Sequence, residues 1–335
     1  MADYINIKGN NIPIRASDPS NPILGEIWYN STTNLLKGQG FDSGSWSSGT
    51  SIPSARFNMA SAGTATAGII AGGELAPGTR TGETQYFDGT TWTVQPATLS
   101  PAPNADDVKM AGTQTAGILS SFRGGGSPGP AYTDAREWNG STWTTITSTS
   151  NFHSSSNFIR GGNPTAATIL GGDNEIGGVS SNVEEWSGSA WASETALPAG
   201  RGNMGTFGSP TAGLMFGGNL GPGTPNRTNT SFSYDGSAWT AGGNLSEARV
   251  ALGGAGTLTS GLAFGGYNPT PAATGTTDKW DGTSFSATSS MATARGGLGS
   301  TGDASGAYAI GGNPPVIATV EEFTSGPATV TISSS

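Results

Sequence analysis

Short apolar runs that end in paired glycines punctuate this chain at near-constant spacing. Ile69-Ile70-Ala71 precedes Gly72-Gly73, and Ile169-Leu170 precedes Gly171-Gly172. Leu214-Met215-Phe216 precedes Gly217-Gly218, Leu262-Ala263-Phe264 precedes Gly265-Gly266, and Ala309-Ile310 precedes Gly311-Gly312. With Gly124-Gly125 there are six pairs, whose first glycines lie 46 to 52 residues apart. Runs this short, bounded by glycine, read as buried strands rather than helices.

Two further markers keep step with the glycines. Arg56, Arg201, Arg249 and Arg295 each stand 16 residues before Gly72, Gly217, Gly265 and Gly311; the second and third repeats lack the arginine. After each pair comes an aromatic hairpin: Phe87-Asp88-Gly89-Thr90-Thr91-Trp92, Trp138-Asn139-Gly140-Ser141-Thr142-Trp143, Trp186-Ser187-Gly188-Ser189-Ala190-Trp191, Tyr234-Asp235-Gly236-Ser237-Ala238-Trp239 and Trp280-Asp281-Gly282-Thr283-Ser284-Phe285. Asp-Gly and Asn-Gly predict type I′ turns with positive φ at both central residues. Each repeat then holds four strands, the content of one propeller blade. The predicted fold is all-β: a six-bladed β-propeller of four-stranded antiparallel blades over residues 41–335, with a short N-terminal β-hairpin extension over residues 1–40. A blade buries both faces only against neighbours, and ring closure protects the sheet edges.

Closure needs an outer strand for the sixth blade, because Val320-Glu321-Glu322-Phe323 matches Val183-Glu184-Glu185-Trp186 but no tryptophan follows it. Two segments are available. Phe41-Asp42-Ser43-Gly44-Ser45-Trp46 has the hairpin's aromatic spacing and would latch the ring; alternatively Ala328-Thr329-Val330-Thr331-Ile332 completes the blade. The aromatic spacing favours the latch.

Composition narrows the chemistry. Of 335 residues 55 are Gly and only 11% are charged, which suits tight turns and argues against a charged disordered chain. The formal net charge of −9 and the absence of any basic stretch exclude a phosphate-binding surface, so nucleic acid is not an expected partner. With no Cys and one His, ordinary zinc and copper centres have no ligands, and no cofactor or metal residue is assigned; calcium held by Asp, Asn and carbonyl oxygens in loops stays open. Residues 1–8 lack the build of a signal peptide, and no apolar run reaches bilayer length, so membrane insertion is not expected. His153, in a polar run, reads as a loop residue. No Gly-x-Ser-x-Gly elbow appears in a strand–turn–helix setting, and no Gly-x-x-x-x-Gly-Lys-Ser/Thr loop or Asp-x-Asp-x-Asp-Gly loop occurs. The pairs Glu184-Glu185 and Glu321-Glu322 recur at one repeat position and point to opposite strand faces, which suits structure better than acid–base catalysis. The repeated arginines read as inter-blade hydrogen bonders to carbonyls rather than an anion clamp. Trp92, Trp143, Trp191 and Trp239, with Gly72, Gly171, Gly217, Gly265 and Gly311, are structural repeat positions. No catalytic residue is expected, and the chain is read as not an enzyme.

The glycine pair followed by two aromatics resembles the kelch repeat, over residues 50–325. It departs in the four residues between the aromatics, fewer than kelch repeats usually have, so the fold is implied and no kelch activity follows. Residues 1–40 stand outside the repeat. There Asp18-Pro19-Ser20-Asn21-Pro22 leads into Gly25-Glu26-Ile27-Trp28-Tyr29-Asn30-Ser31-Thr32-Thr33-Asn34-Leu35-Leu36-Lys37. This pattern resembles segments of tailed-bacteriophage structural proteins, fibres and appendages of the marine phage type among them. The resemblance implies a virion component made in the host cytoplasm, mounted on other virion proteins by residues 1–40, displaying the propeller for assembly or for host-surface glycans, with a homo-oligomer within the particle among the expected assemblies. Trp28 and Tyr29 are the candidate attachment residues, and loops 219–230 and 268–276 the candidate host contacts. The alternatives are a lectin-like propeller outside any virion and, third, a polysaccharide-degrading enzyme.

Overall fold

The computed structural model describes residues 12–20, 26–41, 44–99, 107–120, 133–151, 155–159, 165–172, 178–221 and 226–332. Among them there is no helix, and the chain divides into two compact units, Trp46–Phe323 and a smaller one made of Met1–Ser45 with Thr324–Ser335.

The larger unit is a β-propeller of six four-stranded antiparallel sheets. From the axis outwards, blade 1 runs Ala60–Thr64, Ala67–Ala71, Glu83–Phe87 and Trp92–Thr98. Blades 2 to 5 repeat the order from innermost strands Lys109–Gly112, Asn157–Ile159, Gly205–Ser209 and Gly253–Thr257. Blade 6 takes Gly299–Gly302, Gly306–Ile310 and Val320–Thr324, and its outermost strand is Ser45–Gly49 from the other end of the chain. Each innermost strand lies against the next, and the sixth lies against the first, so the ring is closed.

The core is split into six apolar clusters, one per seam between neighbouring blades. Second strands such as Ala167–Leu170 are buried along their whole length, because both faces meet another blade. This explains their continuous apolar runs. Outermost strands such as Trp92–Thr98 bury their first aromatic and expose most of the rest. In all six blades the two hairpin aromatics stack or tilt against each other with centroids 4.6–5.4 Å apart, including Phe323 with Trp46.

The latch is therefore made, but not by the expected hairpin. Trp46 pairs with Phe323; Phe41 ends a different strand, Leu35–Phe41, and pairs with Pro327. The spacing of 41 and 46 matched the repeat, yet backbone pairing sends the two residues into separate sheets. Residues 327–331 do not complete blade 6 either, since Pro327–Thr331 is the fourth strand of the small sheet. The propeller unit thus begins at 46 and ends at 323 instead of spanning 41–335.

The hairpin turns also differ from expectation. Gly89, Gly140, Gly236 and Gly282 have φ of +90° or more, whereas Asp88, Asn139, Asp235 and Asp281 do not have positive φ. Only the glycine of each turn has positive φ, whereas a type I′ turn needs two such residues. The Asp or Asn serves another purpose: Oδ1 of Asp88 accepts from the amides of Thr90 and Thr91 at 2.8 Å, and Asn139 and Asp281 do the same in their turns.

The arginines and glycine pairs meet at the seams. Each guanidinium turns back on its own blade: Arg201 donates to the carbonyls of Gly217 and Thr230, and Arg249 to those of Gly265 and Thr276. The inter-blade bond is made by the arginine's backbone instead. Its carbonyl accepts from the second glycine of the preceding blade: Gly172 to Arg201, Gly218 to Arg249, Gly266 to Arg295 and, across the closure, Gly312 to Arg56, all at 2.8–2.9 Å. The expected inter-blade role is right for the residue and wrong for its side chain. A Cβ on Gly311 would stand 2.4 Å from the Arg56 carbonyl oxygen, and φ there is +57°, so both sterics and dihedral demand glycine. Gly124-Gly125 and His153 lie outside the described residues.

Replacing Trp46 by Ala removes its edge contacts with Phe264 and Phe323 and its bond to Thr277 Oγ1. This should lower unfolding free energy by about 2–4 kcal/mol in urea titration, with Trp46→Phe losing less than half as much. Gly311→Ala should cost at least about 2 kcal/mol more than Gly78→Ala, since Gly78 has φ +78° but open space at its Cβ position.

Candidate functional site

The four recurrent arginines of the propeller each donate to carbonyls of their own blade. Arg56, Arg201, Arg249 and Arg295 are at most 1% exposed and sit one to a blade, so they form no cluster that could hold an anion. Arg56, Arg249 and Arg295 pair with Glu83, Asp278 and Glu321. Among the described residues Arg201 has no carboxylate partner; burial pushes it down to about 10, still charged near neutrality, and it bonds Thr230 Oγ1 with the Phe232 ring 5.2 Å from its guanidinium carbon. Glu184 and Glu321, the first residues of the recurrent acid pairs, cap loops. Glu184 accepts from the amides of Ser150 and Asn151 at 2.8 and 3.1 Å, and Glu321 from those of Ala292 and Thr293 at 2.7 and 3.1 Å. That fixes the path into the innermost strand of each blade, a structural role.

The axial channel has two differently built mouths. At one, a cavity of about 210 Å³ is lined by strand ends from five blades, including Gly63, Gly112, Gly208, Gly256 and Gly302, with Thr64, Thr113, Ser300 and Thr301; among the described residues none that lines it is charged. Such a wall of peptide groups and hydroxyls suits a small neutral polar ligand. At the other mouth the space is about 30 Å³, room for a single water, and Lys109 Nζ meets Asp107 Oδ1 there at 2.7 Å. The residues entering the innermost strands here, Asn58, Asp107, Ser155, Asn203, Ala251 and Gly297, all have φ between +52° and +61°. They hand a hydrogen bond round the axis: Asn58 N–H to Gly297 O, Gly297 to Ala251, Ala251 to Asn203 and Asn203 to Ser155, at 2.7–2.9 Å. Asn and Asp tolerate this conformation, but Ser155 and Ala251 do not advertise it, so the belt has only a partial sequence signal.

The smaller unit is a four-stranded sheet in the order Ile14–Arg15, Ile27–Asn30, Leu35–Phe41, Pro327–Thr331; the first pair is parallel and the others antiparallel. The expected β-hairpin is its centre. The motif residues converge on Asp18, whose Oδ1 accepts from Trp28 Nε1 at 2.9 Å and Asn30 Nδ2 at 2.7 Å, with Lys37 Nζ 4.0 Å from Oδ2. Asn30 Oδ1 in turn accepts the amides of Thr32 and Thr33, and Asn34, at φ +56°, closes the turn and takes the Tyr29 hydroxyl. Glu26 pairs with Arg15 at 2.7 Å. Trp28 is fully buried, which corrects its reading as a docking residue: its indole is the anchor of this cluster. Strand alternation puts the half-buried Tyr29 on the opposite face with Ile27, 38% exposed, and beside Ile14, 74% exposed.

No protein-family model matches this chain, and no curated protein matches it. The architecture is nonetheless shared with solved structures. The chain is similar to YjhT, with a TM-score of 0.64 over 84% of this chain and 96% of that one. At 14% identity the likeness concerns the fold.

The two loops nominated as host contacts are tied to their neighbours. In loop 219–230, of which 222–225 lie outside the described residues, Arg227 donates to the Asn268 carbonyl. In turn Tyr267 OH donates to the Asn313 carbonyl at 2.9 Å, and Asn268 Oδ1 orders the 270–272 turn. Blades 4, 5 and 6 are thus linked across one face by loop contacts.

Hydrogen bonds from Asn30 and then Trp28 hold the Asp18 carboxyl below its ordinary value of 3.8. The stabilisation this gives is complete above that value and lost as pH falls through the lower folded one. In acid titration the Trp28 indole N–H resonance should shift as the cluster opens below about pH 4. Asp18→Asn should flatten that dependence, and Asp18→Ala should perturb the resonance at every pH.

Proposed function

We propose that this protein is a displayed, non-catalytic structural and adhesion component of a phage particle, with the small sheet as its mount and the propeller as its head. The observation that carries this reading is the self-contained cluster around Asp18. The segment that resembles phage structural proteins belongs to a compact unit of its own, a four-stranded sheet completed by Pro327–Thr331. Its polar residues Asp18, Asn30 and Asn34 are spent on holding a sheet, and the apolar side chains left exposed, Ile14 and Ile27 beside Tyr29, supply a surface of the kind that docks to another protein. The propeller's buried arginines and glutamates serve its own loops and seams, which suits a rigid platform.

A second reading, a lectin-like propeller, is favoured by the cavity of about 210 Å³ at the channel mouth, whose described lining residues carry peptide groups and hydroxyls and no charge. Neutral sugars bind through hydroxyl and peptide groups such as those that line it.

Immunogold labelling of particles purified from the source, with antibody to residues 46–323, tests the proposal. Gold at one defined position on the particle is expected, with loss of incorporation when Ile14 and Ile27 are changed to Ser while Trp28 and Asp18 are left in place. Protein found only free, with particles unlabelled, refutes the virion reading; saturable binding on a glycan array then supports the second.

A further inference from the structure

Two carboxylates and a buried phenol face one another across the seam between blades 3 and 4. In blade 3, Glu185 pairs with Ala192, and the Glu194 amide bonds the Val183 carbonyl at 2.9 Å. Glu194 is therefore the diagonal neighbour of Glu185 on one sheet face. That face carries Val183, which belongs to the apolar cluster shared with Tyr234 of blade 4. Tyr234 is fully buried, and its hydroxyl has no hydrogen-bond partner. The ring stacks on Trp239 at 4.6 Å, and Trp239 Nε1 reaches across to the Thr195 carbonyl, next to Glu194, at 2.9 Å.

The electrostatics agree with this placement. Burial first, then Glu194, pushes the Glu185 carboxyl up, and the Tyr234 phenol is pushed up by burial and then by Glu194, Glu185 and Asp235. No ion pair to Glu185 or Glu194 is present among the described residues. Two acids repel and a buried hydroxyl goes unsatisfied at the same spot, and one occupant relieves both. Diagonal cross-strand neighbours lie roughly 7–8 Å apart. Glutamate side chains that lean together from that backbone spacing can bring their oxygens to the roughly 5 Å separation that a hard cation with bonds of about 2.3–2.6 Å requires.

We infer that Glu185, Glu194 and the Tyr234 hydroxyl form a divalent-cation site, of calcium type, that staples blade 3 to blade 4. The ligands are all oxygen, and two carboxylates at a half-exposed seam give weak affinity, with Kd on the order of 0.1–1 mM. The site makes no use of the mount or of any virion role.

The test uses the full chain in thermal melts with EDTA, with about 10 mM Ca²⁺, and with NaCl at matched ionic strength. Calcium should raise Tm by roughly 2 °C or more, and NaCl should not. Tb³⁺ should give luminescence sensitised by Trp239, displaced by Ca²⁺. The double variant E185Q/E194Q should melt above the parent in EDTA, because the repulsion is gone, and lose both the calcium shift and the luminescence. Tyr234→Phe, which deletes only a hydroxyl, should keep the fold and bind calcium severalfold more weakly. A parent chain with neither shift nor luminescence overturns the inference. So does a double variant that retains them, or an unchanged affinity in Tyr234→Phe.

Discussion

The hydrogen bond from the second glycine of one blade to the arginine carbonyl of the next requires two backbones to approach where no side chain fits. Gly172, Gly218, Gly266 and Gly312 all make it, at nearly one distance. Much else follows from that contact. Two consecutive residues must take positive φ, so a glycine pair recurs. The chain that bears the carbonyl must be held rigidly, so a buried guanidinium ties the same residue back to its own blade. The apolar clusters then form seam by seam, each needing only a few large side chains. This is how a chain with 34% hydrophobic residues closes a ring.

The comparison with the sequence is uneven for physical reasons. Strand number, order and the latching tryptophan were legible because each blade repeats the same burial problem, and the same residue types solve it. Three features were misread where one residue type serves two ends. Asp88 and its equivalents looked like left-handed turn residues, but their side chains accept amides while the glycine alone takes positive φ. The arginines looked like inter-blade donors, but the inter-blade partner is their carbonyl. Phe41 has the spacing of a hairpin aromatic, and only pairing with Pro327 reveals its other sheet. The left-handed belt at Asn58, Asp107, Ser155, Asn203, Ala251 and Gly297 was not legible, since four residue types other than Asn, and no fixed one, occupy it.

Of the candidate site, the location was legible and the roles were not. Trp28 stood out for lying beyond the repeat, and an aromatic outside a repeat invites a docking role. Asp18 drew no notice, yet it is the acceptor on which Trp28 and Asn30 depend. A short polar residue before a proline carries no periodic signal; its importance is visible only when Trp28, ten positions further on, is seen to donate to it.

The strand that seals the propeller is synthesised first and used last. Ser45–Gly49 leaves the ribosome long before Val320–Thr324, its partner in blade 6. At about 5–20 residues per second, that interval is on the order of tens of seconds, during which the strand is an open sheet edge. Its sequence, Ser-Trp-Ser-Ser-Gly, is short and polar apart from Trp46, which limits wrong pairing during the wait. A nascent propeller is thus an incomplete ring until its sixth blade is made, and commitment to the closed form waits on that blade.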